Sequence, residues 1–163
     1  TGTPGTGKTT LARRLADDLG VKYVNVTERV QEGASAGYDD ERDAPVADID
    51  ALRDSVPEDA VLDGHLSHRL DPDFIVLLRC APDVLRSRLE ERGWSDAKVD
   101  ENVDAESLDV TAAEALAVDA PGFGFDTTDT TVDETVDRVA QAVEEREERT
   151  GVVDWSAHVR GEV

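Results

Sequence analysis

The chain opens on "TGTPGTGKTT", Thr1 to Thr10, and no other stretch limits its fold so sharply. Gly2, four residues, Gly7, Lys8 and Thr9 fit the spacing G-x-x-x-x-G-K-[ST]. Glycines let a backbone close around an anion and turn its N–H groups inward. A helix beginning near Lys8 adds the positive end of its dipole. The spacing predicts that Lys8 reaches the terminal phosphates of a nucleotide and that the Thr9 hydroxyl serves Mg²⁺. A plain Gly/Thr/Pro surface loop is the alternative. The lysine, the hydroxyl and the helical pattern that follows all argue against it. Lys8 is also one of only three lysines, with Lys22 and Lys98, among seventeen basic residues. A chain that otherwise favours arginine keeps a compact charge where a phosphate cradle calls for one.

The pattern downstream alternates strands with helices. "KTTLARRLADDLG" repeats Leu11, Leu15 and Leu19 every four residues and stops at Gly20. "KYVNV", Lys22 to Val26, reads as a strand, and Thr27 as the cap of a short helix, "ERVQE". Gly33 to Pro45 reads as a long polar loop, a type more often functional than not inside a compact domain. "DIDALRDSV" is a short helix. "AVLDG" is an apolar strand closed by an acid, and "DFIVLLR" an apolar run of the kind buried on both faces of a parallel sheet. Pro82 starts the helix "PDVLRSRLEERG", which Gly93 closes. The stretch from Trp94 to Val118 is expected to be largely helical, "GFGFDTT" a last strand and turn, and "TVDETVDRVAQAVEERE" a helix. The tail after Thr150 has no clear period. This order implies one α/β domain over residues 1–163, a doubly wound parallel sheet with ligands at the carboxyl ends of its strands.

Net charge is −21, from 38 acidic and 17 basic residues spread along the chain, and methionine is absent. Lysine-poor, acid-rich surfaces resemble those of proteins from salt-accumulating halophilic archaea, where acids maintain solubility. An acidic partner-binding face is the alternative. Cys80 is the single cysteine, so no disulfide forms within the chain. The longest apolar run, "FIVLL", is too short to span a membrane. A cytoplasmic protein without a membrane partner is expected.

Beyond the loop, Asp63 ends its strand where an aspartate holds Mg²⁺ directly or through water. His65, two residues on, is placed to orient a water or an acceptor oxygen; a plain hydrogen-bonding histidine is the alternative. His68 and His158 have no supporting pattern. Arg92 and Lys98 flank Gly93 in "ERGWSDAKVDEN", which reads either as a small lid over ATP or as an ordinary helix connection. Arg42 and Arg79 are candidates for the phosphate of a second substrate.

In order, "TGTPGTGKTTLA", "YVNV", "GYDDERD", "VLDGH", "VLLR" and "RLEERGWSDAKVDENV" resemble the adenylate kinase isoenzyme 6-like family, also described as the coilin-interacting nuclear ATPase family and present in archaea. The resemblance covers roughly Thr1 to Leu116. It implies a P-loop NTPase fold of the nucleoside monophosphate kinase type, moving a phosphoryl group from ATP to AMP or a related monophosphate. It also implies ATPase activity and a role in small ribosomal subunit maturation, with a small-subunit ribosomal protein and the pre-ribosome as partners. Carried onto this sequence, ATP contacts fall at Gly5, Gly7, Lys8, Thr9, Thr10 and Arg92; metal contacts at Thr9 and Asp63; catalytic roles at Lys8, Asp63, His65 and Arg92. The monophosphate-binding segment runs over 25–46 and the lid over 91–101.

The chain departs from the family at Ala97, where a second lid lysine is usual, in "LSHRLDPD" after the D-x-H, and at Arg42 in a cysteine-free loop. These departures bear on the acceptor more than on the ATP site. An assembly factor that turns ATP over to water is one alternative, and a small-metabolite kinase another. A GTPase is disfavoured, because no N-K-x-D motif is present. A P-loop normally follows a buried apolar strand, so a handful of apolar residues is expected ahead of Thr1, completing the centre of the sheet.

Overall fold

A computed structural model describes residues 1–40, 44–148, 153–155 and 159–160. Helix α1, Lys8–Leu19, leaves the glycine-rich loop and ends at Gly20, whose left-handed backbone (φ 66°) lets its N–H reach the carbonyls of Ala16 and Asp17. Strand β1, Lys22–Asn25, follows. The short helix α2, Val26–Gln31, is capped by Asn25, which accepts from the N–H groups of Thr27 and Glu28. The cap expected at Thr27 is thus two residues earlier, because the Asn25 carboxamide reaches both amides at once.

The segment read as a polar loop is an antiparallel hairpin, β2 (Ser35–Asp39) with β3 (Ala44–Ala47). Its strand signal was masked by Gly37 and by exposure, since Ala36, Gly37 and Tyr38 are all solvated. Helix α3, Ile49–Ser55, starts at Asp48, whose carboxylate accepts from the Ala51 N–H. Strand β4, Ala60–Asp63, and a 3₁₀ turn, Ser67–Arg69, precede β5, Ile75–Arg79. Helices α4 (Pro82–Glu91) and α5 (Asp96–Ser107) form a hairpin around Gly93. The stretch from Trp94 to Val118 is largely helical, as expected, and divides into two helices. Asp109 adopts φ 57° and breaks it before α6, Val110–Leu116. Strand β6, Gly122–Asp126, leads to α7, Val132–Glu145, which opens with a reciprocal Thr131–Glu134 capping box.

Four strands pair in parallel as β1–β4 and β5–β6. The single continuous sheet expected is realised as these two pairs, with no pairing of β4 to β5 among the described residues. Alternation along β4 and β5 covers both faces. Val61, Val76 and Leu78 pack under α1 and α7 with Leu11, Leu15, Val136 and Val139. On the opposite side Leu62 meets Val26, Val30 and Leu52, while Ile75 and Leu77 meet Ala112 and Ala115 of α6. That two-sided cover is why these strands read as unbroken apolar runs. Between β4 and β5 lies a cavity of about 680 Å³, walled by Val61, Leu62, Val76 and Leu78. Thr1 and Gly2 run parallel to β5 at its end, where the Leu78 N–H donates to the Thr1 carbonyl (3.0 Å). A Cβ at Gly2 would collide with the Leu78 carbonyl, so only glycine passes so close to the strand. Among the described residues no helix is long and apolar enough to cross a membrane.

Candidate active site

The loop Gly2–Gly7 turns into α1 through Gly7, which takes φ 94° as the N-cap. Lys8 then stands in the first turn, half-buried, its Nζ donating to the Thr3 carbonyl at 2.9 Å. The same carbonyl receives the Thr6 hydroxyl (2.9 Å) and the Thr6 N–H (3.3 Å), so one backbone oxygen gathers the loop. Crowding by protein pushes the Lys8 pKa down to about 8. Arg92 adds to the lowering; Asp63 and Glu106 oppose it. An ammonium so desolvated is primed for an anion.

Asp63 closes β4, buried, at the carboxyl end of the strand. Thr9 donates its hydroxyl to Asp63 Oδ2 at 2.7 Å, joining the two residues expected to serve a metal. One hydroxyl and one carboxylate are hard oxygen donors, a set that suits Mg²⁺, which takes its remaining ligands from water and phosphate. The fold also supplies a partner that sequence reasoning missed. The Tyr23 phenol donates to the same Oδ2 at 2.9 Å. Parallel pairing of β1 with β4, with Tyr23 opposite Val61, puts Tyr23 and Asp63 on one face two residues apart. Burial, then the bond to Asp63, raises the Tyr23 pKa, so the phenol keeps its proton. Arg13 of α1 lies over the ring, 5.1 Å from its centroid.

His65 is exposed just past Asp63. Desolvation chiefly, and the Lys8 charge next, lower its pKa and leave the imidazole neutral at pH 7. His68, to which the sequence assigned nothing, is 2% exposed. Its Nδ1 lies 3.2 Å from the Thr1 hydroxyl and its Nε2 3.7 Å from the Glu114 carboxylate, a link between the 3₁₀ turn and α6.

Arg92 ends α4 and lines a cavity of about 260 Å³ with Gly5, Gly7, Thr10, Arg88 and Thr130. Gly5, Gly7, Thr10 and Arg92, proposed for ATP from the sequence, therefore share one hollow beside the loop. Arg88 was missed. It donates to the Thr127 carbonyl (2.8 Å) and holds the segment after β6 against the loop, while the Thr127 hydroxyl lies 3.1 Å from the Thr6 carbonyl. In the region read as a lid, Gly93 has φ 73°, and Lys98 rests over Trp94, 4.0 Å from the ring centroid.

Arg79 does not receive a substrate phosphate. It is 4% exposed and donates to Glu106 (Nε to Oε1, 2.6 Å) and to Asp109. Burial with two carboxylates fixes its charge inside the fold. Arg42 lies outside the described residues, as does His158.

The AAA-domain family matches residues 1–109, which hold the loop, Asp63, His65, Arg92 and Glu106. A protein of Methanocaldococcus jannaschii named "Putative adenylate kinase" is 40% identical over 163 residues, covering 96% of this chain and 90% of that one. Proteins of the same name from Natronomonas pharaonis and Halobacterium salinarum are 41% and 42% identical, each covering 98% of this chain and 97% of the relative. The chain belongs to this family. The likeness to these relatives runs over nearly the whole chain, not the loop alone. Among solved structures, the YorR protein of Bacillus subtilis in complex with phosphorylated GDP superposes with a TM-score of 0.62 over 91% of this chain and 97% of that one. At 16% identity that likeness shows a shared fold.

Proposed function

We propose that this chain is a nucleoside monophosphate kinase that transfers the γ-phosphoryl group of ATP to AMP or a related monophosphate. The observation that carries the reading is the meeting of Thr9 with Asp63 beside Lys8. Loop, metal aspartate and phosphate lysine converge at the carboxyl ends of the strands, as phosphoryl transfer requires. In the reaction an acceptor phosphate oxygen bonds to the γ-phosphorus. The bond to the β–γ bridging oxygen breaks, and ADP leaves with that oxygen's charge. Backbone N–H groups of Gly5, Gly7 and Lys8 cradle the phosphates, and the Lys8 ammonium meets the charge that builds on them. Thr9 and Asp63 would hold Mg²⁺, which would supply neutralisation of phosphate charge. Arg92 adds a cation from the α4 end, and closure of the Glu91–Glu101 lid excludes water. Residues 25–46, here α2 and the β2–β3 hairpin, receive the monophosphate.

A second reading rests on His65. An exposed, neutral imidazole next to the metal aspartate suits a water nucleophile, so ATP turnover without a nucleotide acceptor fits the same site. With it goes a cytoplasmic role in small ribosomal subunit maturation, through a small-subunit ribosomal protein on the pre-ribosome. Labelled ATP, screened against nucleoside monophosphates in molar salt, decides between them. Acceptor-dependent ADP with a labelled diphosphate product supports the kinase. Release of inorganic phosphate alone, unchanged by any acceptor, refutes it in favour of the second reading.

A further inference from the structure

The most buried carboxylate among the described residues is not at the phosphates. Glu106, on α5, is 2% exposed, and donors from three separate parts of the chain converge on it. The Thr3 hydroxyl of the loop donates to Oε2 at 2.5 Å. To Oε1 come Arg79 Nε at the end of β5 (2.6 Å), the Cys80 N–H just after it (3.2 Å) and the Trp155 indole N–H of the tail (3.2 Å). Arg79 closes the arrangement with bonds to the Glu106 carbonyl and the Asp109 carboxylate. A buried ion pair adds little stability over apolar residues of the same size, because desolvation offsets the attraction. What it provides is direction.

The direction runs into the loop. Thr3 is 1% exposed and stands between Gly2, pressed against Leu78, and Pro4. Its hydroxyl is fixed by Glu106, and its carbonyl holds Lys8 and both donors of Thr6. At the other end, Lys98 lies in the first turn of α5, eight residues and about 12 Å of helix from Glu106. Leu85 and Leu89 of α4 pack with Val99 and Val103 of α5, so the two helices share one apolar core. The same two leucines abut the loop, since a Cβ on Gly5 would sit 2.5 Å from Leu85 Cδ1.

We infer that Glu106 is a positioning residue, a carboxylate through which helix α5, whose first half lies in the proposed 91–101 lid, sets the shape of the phosphate loop and the place of Lys8. The inference rests on the reading that this loop binds and turns over ATP. A swing of α5 that brings Lys98 toward a nucleotide shifts the anchor of Thr3, so loop and lid adjust together.

The test uses the full chain in molar salt with Thr3→Val, which removes only the hydroxyl, and Thr3→Ser, which restores it. Glu106→Gln is the direct variant, but it leaves Arg79 short of a charge and risks the fold. The threonine pair avoids that risk. Thr3→Val is expected to lower kcat for ATP turnover about tenfold while KM changes less than about threefold, and Thr3→Ser to recover most of the loss. In the nucleotide-free chain, hydrogen exchange over residues 2–8 should quicken about tenfold in Thr3→Val and far less in Thr3→Ser. A Thr3→Val enzyme with wild-type kcat and exchange overturns the inference. So does a Thr3→Ser variant as impaired as Thr3→Val, which would assign the effect to packing. Should the wild type neither bind nor turn over ATP, the functional reading fails, and the exchange measurement still judges Glu106.

Discussion

Lys8→Met should give a protein that is more stable and nearly inactive. The folded state holds the Lys8 ammonium at a pKa of about 8 against an ordinary 10.5, chiefly through burial. A lowered lysine pKa means that charge is disfavoured by folding. Below pH 8 the ammonium therefore costs the folded state about 3 kcal/mol, taking about 1.4 kcal/mol per unit. Methionine fills the same channel without charge. It forfeits one bond to the Thr3 carbonyl, about 1 kcal/mol, and that oxygen keeps its two bonds from Thr6. The net gain is about 2 kcal/mol, or about 4–8 °C in Tm for a chain of this size. The pH profile carries the sign. In the wild type the penalty is complete below pH 8 and fades as pH rises from 8 to 10.5, because the unfolded chain then binds the extra proton. Stability thus climbs across that window, and the climb is missing in Lys8→Met. Turnover should fall at least a hundredfold, about 3 kcal/mol of lost transition-state stabilisation. Thermal melts at pH 7 and 9.5, with ATP turnover at pH 7, check both. A Tm that falls refutes the desolvated lysine, and retained turnover in a folded variant refutes the phosphate-loop assignment.

Asp63→Asn should raise the Mg²⁺ needed for half-maximal turnover about tenfold or more, because the amide offers the metal no charge; an unchanged Mg²⁺ titration contradicts the metal role. His65→Ala should lower phosphate release to water more than transfer to a monophosphate, since a bound acceptor is oriented by its own contacts and water is not; equal losses make His65 structural. Net charge of −21 should make the fold salt-dependent, with Tm rising toward molar salt, where the screening length falls to about 3 Å; a Tm independent of salt favours an acidic partner-binding face instead.

The elements legible in the sequence were those whose local and tertiary preferences agree. Leu11 and Leu15 on α1, the unbroken run of β5 and the Val136–Val139 side of α7 are buried where the periodicity puts them. The hairpin β2–β3 was not legible. An exposed ribbon containing Gly37 and Pro45 buries too little to show alternation, and its pairing comes from backbone hydrogen bonds that every residue can make. The break at Asp109 was hidden for a similar reason. Nothing in "VDAESLDVTAAEAL" forbids a continued helix. The turn is made where Asp109 reaches back to Arg79, thirty residues away in the chain.

The site divides along the same line. Lys8, Thr9 and Asp63 could be singled out in the sequence because phosphate and metal chemistry would dictate residue type and spacing, and the fold brings Thr9 and Asp63 into contact. Tyr23 and Glu106 make contacts that only the folded chain creates. Glu106 was further concealed by composition. Among 38 acidic residues, one buried glutamate on a helix that also carries Asp96, Asp100, Glu101 and Asp104 looks like another solvated charge. Its surroundings set it apart, since Arg79 arrives from a strand end that the sequence had offered to a substrate phosphate. The reading of Arg79 and the silence on Glu106 have one cause. A buried arginine at the carboxyl edge of a parallel sheet needs an anion, and from the sequence the ligand is the obvious choice. The fold provides that anion from its own helix α5, and so ties the hairpin that bears Arg92 and Lys98 to the loop that holds Lys8.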